Sequence, residues 1–284
     1  MFKTTLYLSV LTGLLIFVGY LLGGKGGMFV AFLISLTMNI GSYWFSDKIV
    51  LAMHGAKQIT EKKNKEIFEM TRTLCKSAGI PMPKLYIYES ATPNAFATGR
   101  DYNHSAVALS TGLLSLLDKR ELRGVIAHEL AHIKNRDILI SSVAATIGGA
   151  LSVIVEMSYG LGAMLFPSNN DEENSNPIAG LVVAIIAPIV AMLIQFAISR
   201  SREFEADATG AKIANDTQGL SLALAKLHST QAKQLFMRDQ HHAAHIASAH
   251  MYIANPLSSI GNLFSTHPPV KERIEKLKKL VLIN

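Results

Sequence analysis

Charge is scarce in this chain. Charged residues make up 17% of its 284 positions, against about 25% in an ordinary soluble domain. Hydrophobic residues reach 49%, and the mean hydropathy is +0.27. That shortfall argues for a membrane protein. The chain has one cysteine, Cys75, so no intramolecular disulfide can form and a disulfide-stapled secreted domain is excluded. Internal repeats and long low-complexity tracts are also lacking. The net charge of +6 raises nucleic acid as a partner, but no nucleic-acid motif accompanies it, and cations also collect in the cytoplasmic loops of membrane proteins.

Four apolar runs are present. Thr5 to Gly24 and Met28 to Phe45 are each near the roughly 20 residues that cross a bilayer. The first lacks a signal-peptide cleavage site, and the pair reads as a helical hairpin. A third run extends from about Ile138 to Phe166, with Glu156 read as interfacial, and a fourth from Ile178 to Ile198, kinked at Pro188. Lys48, Lys57, Lys62, Lys63, Lys65, Lys134, Arg136, Arg200 and Arg202 flank the runs on one side, while the loop 167–177 holds Asp171, Glu172 and Glu173 and no cation. The positive-inside rule then puts both polar segments in the cytoplasm. The expected organisation is two transmembrane helices (1–47), a cytoplasmic α+β segment (48–137), two further spans with an acidic outer loop (138–198) and a helical cytoplasmic segment (199–284).

Within the first polar segment, Lys57 to Ala78 reads as a helix stopped by Gly79 and Pro81. Leu85 to Tyr88, Ala95 to Thr98 and Ala106 to Ser110 read as strands, the last two joined across Gly99 to His104. Asp118, with Glu121 three residues on, has the pattern of a capping box opening a helix at Lys119. Leu122, Val125, Ile126 and Ile133 keep helical spacing along it. Gln218 to Leu227 and Val270 to Leu280 are the clearest helices of the second polar segment.

That first amphipathic helix carries His128-Glu-Leu-Ala-His132. Histidines four apart project from one helix face, so two imidazoles can meet one Zn²⁺. Zinc acidifies water, and Glu129, one step round the helix, is placed to accept the proton as water attacks a peptide carbonyl and to hand it to the leaving amine. A catalytic zinc takes a third protein ligand. The stretch Ser199 to Asp207 offers Glu203 and Asp207 on one helical face, with Glu205 pointing elsewhere. One of the two carboxylates can bind zinc while the other orients a histidine through its free ring nitrogen.

Asn94-Ala-Phe-Ala-Thr-Gly99, HELAH, Arg202-Glu-Phe-Glu-Ala-Asp207 and Thr266-His-Pro-Pro269 with Arg273-Ile274 follow the paired N-terminal runs in order. In these motifs, and over nearly its whole length, the chain resembles the HtpX family of bacterial membrane zinc metalloproteases, relatives of the CAAX prenyl endopeptidase. The resemblance implies a zincin-like α+β catalytic domain on an α-helical membrane anchor, with one Zn²⁺ held by His128, His132 and Glu203 and Asp207 as the partner behind a ligand. It implies that the strand from Asn94 through Ala95, Phe96 and Ala97 to Thr98 pairs with extended substrate, the mode of edge-strand addition. Asn94 reads equally as a substrate contact or a turn residue. His267 resembles a family histidine that stabilises the oxyanion. Arg273 is open between pairing with an acid near the site and lying at the surface. The implied task is endoproteolysis of misfolded or damaged membrane proteins in the bacterial inner membrane under stress, with the active site facing the cytoplasm. Unfolded polypeptides are then substrates, and association with other membrane quality-control proteases is compatible with the task.

Two other classes compete. A metal transporter needs polar ligands inside its spans, and these carry essentially Glu156 alone; an idle scaffold would have no use for an intact HELAH. The cluster His241, His242, His245 and His250 reads as polar surface.

Overall fold

The structure is a computed structural model and describes residues 2–144, 146–147, 200–229 and 268–280. Most of the third hydrophobic run, the fourth run, Glu156, the histidine-rich stretch 241–250 and His267 lie outside the described residues.

The first helical element, α1, spans Phe2–Met53. Asn39 donates its side-chain amide to Thr12 Oγ1 at 2.8 Å, across 27 residues. A straight helix would hold those positions about 40 Å apart, so α1 doubles back on itself. Gly24, at φ +57°, is left-handed between the two, a conformation glycine adopts without a Cβ penalty. Among the described residues, Gly24–Met53 is long and apolar enough to cross a membrane, and its most apolar stretch is only 11% buried within the chain. Phe29, Val30, Leu33, Ile34, Ile40 and Trp44 are all exposed. An apolar surface of that length has no stable place in water.

A four-stranded sheet follows. It is built from β1 (Lys57–Gln58), β2 (Lys84–Tyr88), β3 (Ala95–Asp101) and β4 (His104–Ser110), in the order β1-β2-β4-β3. β2 and β4 run parallel, and the other pairs are antiparallel. The expected helix from Lys57 is corrected here. Lys57 and Gln58 pair with Ile87 and Tyr86 as an edge strand, and the helix α2 begins only at Lys65 and runs to Ala78 (Lys65–Ala78). Ile59 extends the strand's pairing through its N–H to the Leu85 carbonyl, so those backbone groups are spent on the sheet before a helix can claim them. Gly79 closes α2 in the left-handed conformation expected of a terminal glycine.

The sheet has two apolar faces because its residues alternate. Ala95, Ala97, Val107 and Leu109 join the main core. Phe96, Ala106, Ala108 and Tyr88 pack instead with Val50 and Leu51 at the end of α1. The end of the apolar element α1 is thereby seated on the back of the sheet. A short helix α3 (Thr111–Leu116) leads to α4 (Lys119–Lys134), the centre of the main core. Around α4 pack α2, α5 (Arg200–Ala214) and α6 (Thr217–Leu227), and α7 (Val270–Lys279) closes over α5 and α6.

The capping box that opens α4 is present in full: the Asp118 carboxylate accepts from Glu121 N–H, and Glu121 Oε2 accepts from Asp118 N–H. Glu121 Oε2 also lies 2.6 Å from Lys226 Nζ, pinning the start of α4 to the end of α6. Gly124 lets those helices cross closely, since a Cβ there would lie 2.5 Å from Leu220 N and 2.8 Å from Leu220 Cα. Both are backbone atoms and cannot rotate aside. Gly124→Ala is therefore expected to destabilise the domain by about 1–3 kcal/mol, the usual range for overpacking, read as a lowered thermal midpoint.

Candidate metal centre

α4 is a fully embedded helix through its middle: Val125, Ile126, Ala127, Leu130 and Ala131 are all buried. The apolar neighbours fix its rotation, and so direct His128 and His132 to one side. His128 is 1% exposed and His132 17%, so the pair is open to solvent only at the second histidine. The end of α4 is as informative as its middle. Arg136 N–H donates to Ile133 O and Asp137 N–H to His132 O, the double bond of a Schellman motif. Its left-handed residue is Arg136, at φ +62°, where a residue with a Cβ costs roughly 1–2 kcal/mol. The turn carries Asp137 back over the helix, to 3.3 Å between its Oδ2 and His132 Nδ1.

Helix α5 supplies the opposing wall. Glu203, Ala206, Asp207 and Gly210 are buried and follow one face, while Glu205 is exposed. A Cβ on Gly210 would sit 2.9 Å from His128 Cα. Only glycine allows α5 to pass so near the ligand helix. Glu203 then reaches both histidines: its Oε2 is 3.8 Å from His128 Nε2 and its Oε1 3.5 Å from His132 Nε2. The two Nε2 atoms are 3.1 Å apart. Ligands about 2.0–2.1 Å from a tetrahedral zinc stand about 3.3 Å from each other, so these donor separations fit a divalent ion. Among the described residues, His128, His132 and Glu203 form the group that could hold one.

Charge makes the same demand. Glu129, Glu203 and Asp207 are each no more than 7% exposed, and Arg273 is 0% exposed. Buried carboxylates outnumber the one buried guanidinium, a balance that favours a bound cation. Burial pushes the Glu129 carboxyl up to about 7, with Glu203 adding to the shift. Burial opposes a charge on His132, yet the Asp137 hydrogen bond and the Glu203 charge carry it up to about 9. Burial lowers His128 instead. The site draws cations.

Arg273, from α7, is the structural centre of this cluster. Its Nε and Nη2 donate to both oxygens of Asp207 at 2.8 and 2.7 Å, and its Nη1 lies 3.4 Å from Glu203 Oε2. Burial works against both charges, but Arg273 holds Asp207 below the usual carboxylate range and Asp207 holds Arg273 above its own. Asp207 Oδ1 in turn lies 3.1 Å from His128 Nδ1. Each metal-facing histidine thus has a carboxylate behind it, Asp207 for His128 and Asp137 for His132.

β3 stands at the sheet edge beside this centre. The Ala97 N–H donates to Glu129, and the Gly99 N–H to Ser142 Oγ at 3.1 Å. These groups, with that of Ala95, point away from β4, because hydrogen-bonded and non-bonded pairs alternate along an antiparallel ladder and the Ser110 N–H is bonded to Asn94 O. Ala95 and Ala97 lie in the core beside α4, and Phe96 faces the end of α1. Asn94 is 1% exposed and donates its amide to Tyr88 Oη at 3.0 Å. With its N–H on Ser110 Oγ, it anchors the start of β3 to β4 and β2. That geometry gives it a structural task at the start of the strand, in keeping with the turn-residue alternative. His267 lies outside the described residues.

Asp137 was not among the expected site residues; Ala97 was expected to pair with substrate, and its N–H reaches Glu129. No periodicity marks Asp137: it reaches His132 only because Arg136 adopts a left-handed conformation. The buried Arg273–Asp207 fork settles the role left open for Arg273.

A helix bearing two metal-facing histidines and an intervening buried glutamate, crossed by a carboxylate helix beside an edge strand, defines a metallopeptidase. Comparison with known proteins agrees. Residues 61–281 match the profile of Peptidase family M48. Proteins named Protease HtpX homolog are similar over nearly their whole length: 52% identical in Sulfurihydrogenibium sp. (strain YO3AOP1), covering 98% of this chain and 95% of that protein. In Syntrophobacter fumaroxidans (strain DSM 10017 / MPOB) the identity is 48%, covering 98% and 99%. The chain belongs to the HtpX proteases of Peptidase family M48. The crystal structure of S. mikatae Ste24p shares the fold at a TM-score of 0.50 and 19% identity, covering 97% of this chain; the chain spans 62% of that one.

Asp137→Asn keeps the size of the side chain and removes the charge behind His132. Loss of such a partner typically weakens metal affinity about 10–100-fold, measured by competition with a chelating dye. Arg273→Met leaves Asp207 and Glu203 buried without their cation, and stability should fall by about 3–5 kcal/mol, read from thermal unfolding in detergent.

Proposed function

We propose that this chain is a membrane-bound zinc endopeptidase that cleaves misfolded or damaged membrane proteins on the cytoplasmic side of the inner membrane, as part of a stress response. The observation that carries the peptidase reading is the meeting of His128, His132 and Glu203 at tetrahedral ligand spacing, with Glu129 buried between them and an edge strand. The cytoplasmic side rests on the cations that flank the apolar runs.

In this reading His128, His132 and Glu203 hold Zn²⁺. When bound, zinc supplies Lewis acidity towards a peptide carbonyl and makes water nucleophilic near neutral pH. Glu129 takes the proton from the attacking water and passes it to the leaving amine. Its carboxyl, pushed up to about 7 by burial, suits a group that must gain and lose a proton near neutrality. Asp207 and Asp137 hold the two imidazoles from their Nδ1 sides, which keeps both Nε2 lone pairs turned inward. An extended substrate pairs with the outer edge of β3 along Ala95 to Ala97, the Ala97 N–H exchanging Glu129 for a substrate carbonyl, and main-chain bonds there give affinity with little regard for side chain. Low selectivity of that kind suits unfolded polypeptides. His267 is assigned as donor to the developing oxyanion through the family resemblance. Other membrane quality-control proteases are compatible partners.

Glu129→Gln tests the reading. Cleavage of an unfolded protein by the detergent-purified chain is expected to fall about 10²–10⁴-fold, the usual share of a general base, at unchanged zinc content. Activity retained in that variant would remove Glu129 from the reaction.

A further inference from the structure

We propose that the junction between α1 and the back of the sheet is a binding site for the headgroup of an anionic phospholipid. A cavity of about 350 Å³ lies there, on the opposite side of the sheet from α4, and Trp44, Phe45, Lys48, Lys84 and Arg100 line it. The proposal rests on α1 being inserted in the membrane.

Its position is the first argument. The exposed apolar surface of α1 runs through Phe29, Leu33 and Ile40 and ends on Trp44 and Phe45, each 51% exposed. Lys48 is the first cation beyond it. Aromatic rings followed by cations mark the depth at which a helix leaves the hydrocarbon and meets headgroups. The cavity therefore opens at the level of lipid phosphates.

Its construction is the second. The Arg100 guanidinium stacks over Trp44 at 4.8 Å from the ring centre, and Lys48 Nζ stands 5.5 Å from that of Phe45. Arg100 Nη1 also lies 3.5 Å from Trp44 O. These cations are held at the rim before any ligand arrives, which lowers the ordering cost of binding. Two acids face them. Asp47 lines the same cavity, and Asp101 lies 3.6 Å from Arg100 and 2.8 Å from His104. Lys48, Lys84 and Arg100 against Asp47 and Asp101 leave one net positive charge. That balance suits a phosphodiester with one negative charge better than a dense polyanion. Basic pockets at the cytoplasmic edge of membrane helices take lipid phosphate groups.

Trp44 is the chain's one tryptophan, so its fluorescence reports on this cavity alone. The full chain carrying Glu129→Gln, to prevent self-digestion, is reconstituted in phosphatidylcholine vesicles. The quencher is brominated phosphatidylglycerol or, at the same mole fraction, brominated phosphatidylcholine. The expected result is an anionic-lipid enrichment around Trp44 of about five-fold, the effect of one net cation near the surface. Lys48→Gln with Lys84→Gln, both exposed positions, should bring the two lipids to equal quenching, while Arg100 stays stacked on the indole. Equal quenching by both lipids before those substitutions overturns the headgroup site and leaves the membrane insertion of α1 intact. Quenching by neither lipid overturns both. Enrichment that survives the double substitution overturns the role given to these cations. Enrichment abolished by added inorganic phosphate makes the cavity a site for the free anion and overturns the lipid assignment.

Discussion

A guanidinium with no contact with solvent ties the catalytic domain together. Arg273 arrives on a helix distant in sequence from the histidines and donates its fork to Asp207 while facing Glu203. Without it, two carboxylates would be buried on α5 with only histidines to compensate them, a cost of several kcal/mol per ion. With it, α5 can carry one acid to the metal and another to the back of His128. The last described helix is therefore part of the site although it supplies none of the three candidate ligands.

Close backbone approach is the second constraint. Gly210 lets α5 pass over His128, and Gly124 lets α6 pass over α4. The separations of 3.5 and 3.8 Å between Glu203 and the two histidines depend on the first of these crossings. The left-handed Arg136 plays a similar part, spending backbone strain to bring Asp137 behind His132. On the other face of the sheet, Val50 and Leu51 pack against Phe96, which joins the end of the apolar helix to the strand beside Glu129.

Much of the local structure was legible in the sequence because its causes are local. The capping pair Asp118 and Glu121, the i,i+4 histidines and the shared face of Glu203 and Asp207 all follow from helix geometry. Spacing could not say which of the last two acids meets the metal. That depends on the angle at which α5 crosses α4, set by Gly210. The pairing of Arg273 with Asp207 spans 66 residues and leaves no periodic trace. The β1 strand at Lys57–Gln58 is too short to alternate, so the polar run there resembled the start of a helix. Asn94 stands in the expected motif, but its amide is engaged by Tyr88, a partner reached only once β2 and β3 share a sheet.

We propose His128, His132 and Glu203 as a ready cage for one zinc ion. X-ray absorption at the zinc edge, on the detergent-purified chain after metal add-back, tests it most directly. One zinc per chain is expected, with two imidazole nitrogens and carboxylate oxygen at about 2.0–2.2 Å, and a shell that loses its carboxylate in Glu203→Ala. A zinc shell unchanged by Glu203→Ala, or one lacking two imidazoles, would contradict it.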